Sequence, residues 1–388
     1  MRRFLSQICM CVILLMSVLP SMAADVCGSD SLPASDCASD TIDWPAYATP
    51  EWRSKNWVKQ LISNGFRIND PGINYPKFAH FCLKVYNWGD KTFNSYNPEY
   101  VVGSGKNWKF YGKSYTWADS YAMYLPDDVN VRMSSAYYSD LGVSLNFMAL
   151  SVGYTFNAND LFHHPVANRA NFEFNFTCAL FSGSYVHAST NGGVTITHFG
   201  DYNDGKRIKY DFNAVNHDVK TGSLYYFFNH DKYSHAAAYC YSKYQLKSAG
   251  TWICGFNFNT QDIDIDFTKL PLDMIKFLPD NMVRYKFHYT DYNLLAGYAY
   301  NWVPRPKRWL LNITAMPALG YKHLYGDSAD GRKDMFSANI KMMASVVYNH
   351  RALFASLTGR FDGHIYMGRS YTFLNSTESV TFLVGFRF

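Results

Sequence analysis

Long segments in which apolar and polar residues alternate constrain this chain more than any other feature. Phe336, Ala338, Ile340, Met342, Ala344, Val346 and Tyr348 alternate with Ser337, Asn339, Lys341, Met343 and Ser345. Leu353, Ala355, Leu357, Gly359, Phe361 and Ile365 face away from Ser356, Thr358, Arg360, Asp362 and His364. Phe172, Phe174, Phe176, Cys178 and Leu180 repeat the pattern, as do Val380, Phe382, Val384, Phe386 and Phe388. Successive side chains of a strand point to opposite faces, so each segment has one apolar and one mostly polar wall. Runs of this length exceed the ~5–6 residues of a typical globular strand and match a tilted bilayer span of ~9–11.

Composition narrows the setting. Aromatic residues make up 18% of the 388 residues and charged residues only 17%, against a usual charged share of ~25%. A disordered chain would show few aromatics and a high net charge. Mean hydropathy is −0.21, and the one long apolar run is N-terminal, which excludes a polytopic helical membrane protein. The net charge of +5 is spread without a dense Lys/Arg block, so nothing points to nucleic acid. A transmembrane β-barrel reconciles abundant apolar residues with low hydropathy, because it hides them by alternation.

Residues 1–24 have the form of a secretory signal peptide. Arg2 and Arg3 precede an apolar stretch from Ile8 to Leu19, and Pro20-Ser21-Met22-Ala23-Ala24 offers cleavage after Ala23 or Ala24. Val26 before Cys27 is not the small residue of a lipoprotein site. Cys9 and Cys11 leave with this leader. Cys27 and Cys37 lie in a polar tail, where they can close a short loop in an oxidising compartment or remain free thiols. Cys82, Cys178, Cys240 and Cys254 sit in aromatic segments without metal-type spacing and are expected to be buried or lipid-facing.

Residues 25–90 read as an N-terminal periplasmic segment, a polar tail followed by a short helix. Thr49 is the expected N-cap, Pro50 suits the first turn, and Asn64-Gly65 stops the helix. Trp57, Val58, Leu61 and Ile62 share a face, with Arg53, Lys55 and Lys59 largely elsewhere. Such a helix lies on a membrane surface or packs on a barrel end.

Residues 91–388 then form the barrel: all-β, antiparallel, with about 12 strands. Asn191-Gly192-Gly193 and Asn203-Asp204-Gly205 are hairpin punctuation, and Asn349-His350 and the Gly326–Gly331 stretch divide later strands. Pro317 predicts a bulge or a strand end. Near Thr260 and Asp291 the apolar face changes sides, which marks a bulge, a turn, or a strand leaving the membrane. Tyr298, Tyr300, Trp302, Tyr321 and Tyr348 are expected at the two membrane interfaces. The final strand, with Phe382, Val384, Phe386 and terminal Phe388, resembles the insertion signal read by the barrel-insertion machinery of Gram-negative outer membranes. A large secreted β-sandwich is the competing reading, and it predicts shorter strands.

Four segments carry a family resemblance. They are Phe93-Asn94-Ser95-Tyr96-Asn97-Pro98-Glu99-Tyr100-Val101-Val102-Gly103, His198-Phe199-Gly200-Asp201-Tyr202-Asn203-Asp204-Gly205, Tyr225-Tyr226-Phe227-Phe228-Asn229-His230 and Met316-Pro317-Ala318-Leu319-Gly320-Tyr321-Lys322-His323. They resemble an uncharacterised Bacteroidetes domain-of-unknown-function family of outer-membrane β-barrel proteins. The resemblance implies a fold and a cell outer-membrane location but no activity and no site residues.

The lumen-facing candidates are Asn339, Lys341, Ser356, Thr358, Arg360, Asp362 and His364. Charges there can set the selectivity of a pore or form a salt-bridged plug. Asp262, Asp264 and Asp266 line one strand face without the spacing of a calcium loop. His187 and Ser189 share a face but lack a local third member or an elbow motif, and adjacent Ser234 and His235 would point apart on a strand. His163-His164 reads as a loop tip. With no nucleotide, dinucleotide or zinc motif, no catalytic, cofactor-binding or metal residue is assigned, and an enzyme is the weakest expectation. The function expected is an outer-membrane barrel acting as a channel or small-solute facilitator. The alternatives are a structural, assembly or binding barrel of the envelope, or an outer-membrane lipid hydrolase. Its expected partners are outer-membrane lipid, the insertion machinery and an envelope protein, with no nucleic acid.

Overall fold

The computed structural model describes residues 56–64, 68–106, 108–147, 150–158, 168–191, 193–279, 283–326 and 333–388. The leader, Cys27, Cys37, Thr49, Pro50 and His163-His164 lie outside them. The chain divides into a smaller unit that ends at Trp88 and a larger one, Gly89–Phe388.

In the smaller unit, α1 (Trp57–Ser63) begins where Asn56 Oδ1 accepts the Val58 N–H at 2.9 Å. The helix makes local contacts through Trp57 and Gln60, while Val58 is exposed. The Trp57 ring meets Tyr75 at 5.7 Å, and buried Gln60 accepts the Asn74 N–H at 2.9 Å. A second helix, α2 (Lys77–Phe93), absent from the sequence-based expectations, begins in this unit and ends in the larger one. No helix among the described residues is long and apolar enough to cross a membrane.

The larger unit holds β1 (Val101–Gly103), β2 (Trp108–Tyr124), β3 (Asn130–Ser135), β4 (Tyr138–Phe147), β5 (Leu150–Asn157), β6 (Asn168–Thr177), β7 (Phe181–Asn191), β8 (Val194–Phe199), β9 (Tyr210–Phe212) and β10 (Val215–Phe227). A short helix, α3 (His235–Tyr239), and β11 (Lys243–Gln245) follow. The chain continues through β12 (Ala249–Asp266), α4 (Leu272–Ile275), β13 (Arg284–Arg305), β14 (Trp309–Leu324), β15 (Asp334–His350), β16 (Leu353–Met367) and β17 (Thr372–Arg387).

The long strands form one antiparallel sheet that curls into a half-barrel. Its path runs β6-β7-β10-β12-β13-β14-β15-β16-β17-β2, with β4 beside β2 and β5 beside β4. The last long strand therefore pairs with the first, in one unbroken register from Thr372↔Tyr124 to Arg387↔Lys109. Strands as long as the 22 residues of β13 argue against the sandwich.

Two local expectations fail. Asn191-Gly192-Gly193 does not fold β8 back on β7; β8 leaves to pair with β3 and β9. At Pro317 there is neither a bulge nor a strand end, because β14 and β15 stay in register through Pro317↔Ile340. The β13–β14 ladder simply drops the partners between Leu295↔Ala318 and Tyr298↔Ala315, as expected where a proline lacks its N–H. Asn203-Asp204-Gly205 does turn the chain between β8 and β9, with φ of 59°, 55° and 67°, values that Asn, Asp and Gly tolerate best.

The change of face near Thr260 and Asp291 is not a bulge either. β12 and β13 stay in one register from Ala249↔Asn301 to Asp266↔Arg284, so the same side chains point outward throughout. What changes is their chemistry. On β13 the outward residues Trp302, Tyr300, Tyr298, Leu294 and Tyr292 are exposed and apolar, and Thr290, His288, Lys286 and Arg284 continue the row. The neighbours switch at the same level, since Tyr292 stands opposite Phe258 and Tyr321, while Thr290 stands opposite Thr260 and His323. Tyr321 and His323 in turn oppose Phe336 and Asp334.

Candidate functional site

The inner face of the half-barrel inverts the usual burial rule. Among its buried residues are Asn257, Asn259, Gln261, Asp291, Asn293, Asn301, Asn312, Thr314, Lys322 and Ser356, while outward Leu294 is 72% and Ile313 65% exposed. Three zones follow one another along this face.

At the end bearing β3, β8 and β9, the inner side chains are apolar. Ile263, Ile265, Phe287, Tyr289, Tyr366 and Phe373 join residues of β3, β8 and α4 in one buried cluster, and the Phe287 and Phe373 rings stack at 4.1 Å. The cluster closes that end as a globular core would.

The middle zone is charged. Lys322 and Asp291, both fully buried, form an ion pair at 2.8 Å. The pair lies off hydrogen-bond geometry, with the ammonium 3.5 Å over the Tyr289 ring. Asn339 Nδ2 donates to the other Asp291 oxygen at 3.2 Å. Lys341 pairs with Asp362 at 3.2 Å, less deeply buried, and Arg360 is exposed. Asn259 Nδ2 lies 3.5 Å from His364 Nδ1. Both polar side-chain atoms of buried Asn293 lack a hydrogen-bond partner among the described residues, so water is their natural complement.

At the opposite end, residues 228–248 fold inward between β10 and β12. Ser234 caps α3 by accepting the Ala237 N–H at 3.1 Å, and Ala236, Ala237 and Ala238 are buried. Inner-face side chains of several strands grip this segment. Asn301 Nδ2 donates to the Ser234 carbonyl and to Gln245 Oε1, each at 3.0 Å. Asn312 Nδ2 donates to the Tyr233 hydroxyl at 3.1 Å, and the Tyr239 hydroxyl donates to Asn312 Oδ1 at 2.6 Å. Lys109 Nζ donates to the Cys240 carbonyl at 2.9 Å. Arg387, 1% exposed, donates to the Tyr241 carbonyl and to Asn349 Oδ1, each at 2.8 Å. β1 pairs with β11 beneath this plug, so the segment Phe93–Gly103 contributes to it. Burial pushes the His235 imidazole down to about 3, with the Arg360 charge a smaller contribution; the ring stacks on Phe227 at 5.0 Å.

The residues singled out from the sequence divide among these zones and the outside. Asn339, Lys341, Asp362, His364 and Arg360 fall in the middle zone. Ser356 and Thr358 are buried on the same strand, their hydroxyls 3.4 Å apart. Val384, Phe386 and Phe388 are exposed on the outer face, where Phe388 stacks on Trp108 at 6.2 Å; Phe382 shares their side of β17. Asp264 is engaged by Arg284 at 2.8 Å, and Asp266 accepts from the Thr268 N–H and hydroxyl. His187 gains a partner on the next strand, Asp218 at 3.1 Å, a pair that is open to solvent. Ser234 and His235 lie on a helix rather than a strand. Cys254 and Cys82 are exposed, and Cys178 and Cys240 half-buried.

The residues missed were Asp291, Lys322, Asn301, Asn312, Lys109 and Arg387. A signal for most of them existed. Asp291, Asn293 and Asn301 share one phase of β13, and carrying that phase unbroken through Tyr289 would have placed them together.

The class this geometry defines is a β-rich half-barrel with an apolar outside and a polar, partly plugged inside. The chain belongs to the family described as domain of unknown function DUF4421, whose family model matches residues 90–388. No curated protein matches the chain. Among solved structures, the outer-membrane protease OmpT of Escherichia coli is similar at 8% identity and a TM-score of 0.34, over 76% of this chain and 98% of that one. The toluene transporter TodX of P. putida gives 8% and 0.21, over 73% and 90%. The β domain of the Bordetella autotransporter BrkA gives 9% and 0.26, over 71% and 99%. Overlap at this level assigns neither activity nor ligand to the chain.

Proposed function

We propose that the chain is a closed, 12-stranded barrel of the cell outer membrane, exported through the cleaved leader, whose resting state is plugged. β5 and β6 are the two ends of the strand path, and joining them closes the barrel. An open edge in lipid would leave backbone groups unpaired, so closure is physically required. The outward apolar run of β13 from Tyr292 to Trp302 covers about 33 Å of strand at ~3.3 Å per residue. At the usual tilt that is close to the ~25 Å apolar band of such barrels. Apart from the inward-folded segment 228–248, the connections at its end of the sheet are short, as at 306–308 and 351–352, and face longer ones at 192–214 and 267–283. Because periplasmic turns are short and extracellular loops long, the plugged end is the periplasmic one. Outward Phe382, Val384, Phe386 and Phe388 are then the surface offered to the insertion machinery and afterwards to lipid.

The observation that carries the functional reading is the inward-folded segment 228–248. It is held by side-chain hydrogen bonds and by packing of Ala237, Ala238 and Tyr241 against Leu310, Val347 and Phe354, while the charged middle zone lies between it and the aromatic end. This suits a gated facilitator for small polar solutes better than an always-open pore. Lys341, Arg360 and Asp362 are the charges a solute would meet once the plug moved. The test is single-channel conductance of residues 25–388 in a planar bilayer, beside Asn301→Ala/Asn312→Ala, which loosens the plug. A silent native protein and discrete openings in the variant are the expected pair. Steady large steps from the native protein overturn the plugged reading. Silence from both, with the barrel folded and inserted, moves the function to structural or assembly work in the envelope.

A further inference from the structure

The helix α2 is the largest feature that the gated-barrel reading leaves unused. Phe78, Phe81, Val85 and Trp88 fall at i, i+3, i+7 and i+10, which makes one stripe of a 3.6-residue helix. These apolar side chains are 77%, 63%, 48% and 62% exposed. Cys82, also exposed, lies beside them. On the flank, Lys77, Lys84 and Lys91 recur every seventh residue, with His80 and Asn87 beyond, and Asp90 is the sole acid of the helix. Such a combination of exposed aromatic stripe and basic polar face is what an in-plane membrane helix requires.

A second observation ties the helix to the level of the membrane. Its last residue, Phe93, accepts the N–H groups of Ala179 and Leu180 at 2.9 and 3.3 Å. These residues form the turn from β6 to β7, and the Phe93 and Phe181 rings meet at 6.2 Å. Along the ladder, Phe181 pairs with Tyr226 and Phe227 with Ile253. The turn therefore sits at the end of the sheet where Trp252, Tyr298 and Trp302 form the outer aromatic rim. The end of the helix at Phe93 thus lies at the height where phospholipid headgroups would lie.

We infer that α2 is an in-plane anchor whose Phe78/Phe81/Val85/Trp88 stripe lies in an anionic phospholipid surface, with Lys77, Lys84 and Lys91 meeting the headgroup phosphates. The inference rests on the membrane-barrel reading. Lipid fits the surface better than a protein groove does, because the basic residues run the whole length of the helix and so favour a continuous negative plane over a point partner.

Site-directed spin labelling tests it in the mature chain, refolded into phosphatidylethanolamine/phosphatidylglycerol vesicles, with native cysteines replaced by serine. Labels at Phe81, Val85 and Trp88 are expected to be more accessible to oxygen than to a nickel chelate, and labels at His80, Lys84 and Asn87 the reverse. In Lys77→Gln/Lys84→Gln/Lys91→Gln, or in phosphatidylcholine vesicles, the oxygen preference at Val85 falls toward the value at Lys84. Nickel access on both faces means a helix in water and overturns the inference. Exclusion of both reagents from the apolar stripe means packing on protein and overturns it too. A label at Leu294, on the outer face of β13, reads the barrel separately. If Leu294 is nickel-accessible the barrel reading fails, whatever α2 does.

Discussion

Two halves of the same strands, read on either side of the Tyr292/Thr290 step, obey opposite rules. In the half toward Trp302, exposed side chains are apolar and the inner face holds asparagines and charge pairs. In the half toward Arg284, the outer face carries Thr290, His288 and Lys286, and the inner face is the cluster around Phe287. One backbone, in one register, serves both. Burial alone therefore does not say where apolar residues belong. On the membrane-barrel reading the surroundings do: a strand bathed in lipid keeps its apolar side out, and a strand bathed in water keeps it in.

The sharpest test compares truncations on the inner face of each half. Phe287→Ala removes a stacked ring from the aromatic end, and a loss of about 3–5 kcal/mol in urea unfolding is expected. Asp291→Ala, two same-face positions along β13 toward the apolar outer band, leaves the Lys322 ammonium without its partner and costs about 3–5 kcal/mol. If the charge pair rather than packing governs that half, Asp291→Leu/Lys322→Met recovers most of the loss. Failure of the double variant to recover would place the cost in packing, as at Phe287.

The outer faces come next. Leu294→Arg in the apolar band is expected to lower the stability of the inserted barrel by about 2–4 kcal/mol, measured by unfolding from vesicles. His288→Arg, three ladder positions toward the water-bathed half, changes it within about 0.5 kcal/mol. Equal losses at the two sites would erase the distinction between the halves.

Acid tests the plug. The folded His235 imidazole binds a proton only near pH 3, whereas an unfolded one does so near 6.5. Between those values the unfolded segment holds more protons, so stability is full above pH 6.5 and is lost progressively as pH falls toward 3. Tyr233, Tyr239 and Phe227 pack on this ring, and none of them ionises in that window. Hydrogen exchange of residues 233–241 is expected to speed up across it, and His235→Phe flattens the profile. The smallest effect belongs to Asp264→Asn, which removes an exposed partner of Arg284 and costs less than about 1 kcal/mol.

Much of the half-barrel was legible because alternation is a local property. Phe336 to Tyr348 and Leu353 to Ile365 announce their faces within a dozen residues, and the structure keeps those phases. The step at Thr260 and Asp291 was visible as a change of chemistry, but its cause was not. A bulge, a turn and an unbroken strand whose outer face changes from apolar to polar leave the same mark in a sequence. α2 is hard to see in the sequence because its stripe, Phe78 to Trp88, is interleaved with lysines at helical spacing, next to segments of period two. Of the candidate site, the phase of Lys341, Arg360, Asp362 and His364 followed from β15 and β16 alone.

The sequence by itself determined which side chains share a face, because two-residue periodicity needs nothing beyond neighbouring residues. Only the tertiary structure decided which polar groups meet. Lys109 reaches the Cys240 carbonyl and Arg387 the Tyr241 carbonyl across well over a hundred residues of chain. Such contacts depend on the curl of the sheet and on a loop that folds inward. The physical reason is that a strand fixes the direction of a side chain, whereas the partner waiting there is set by strands and loops far along the chain.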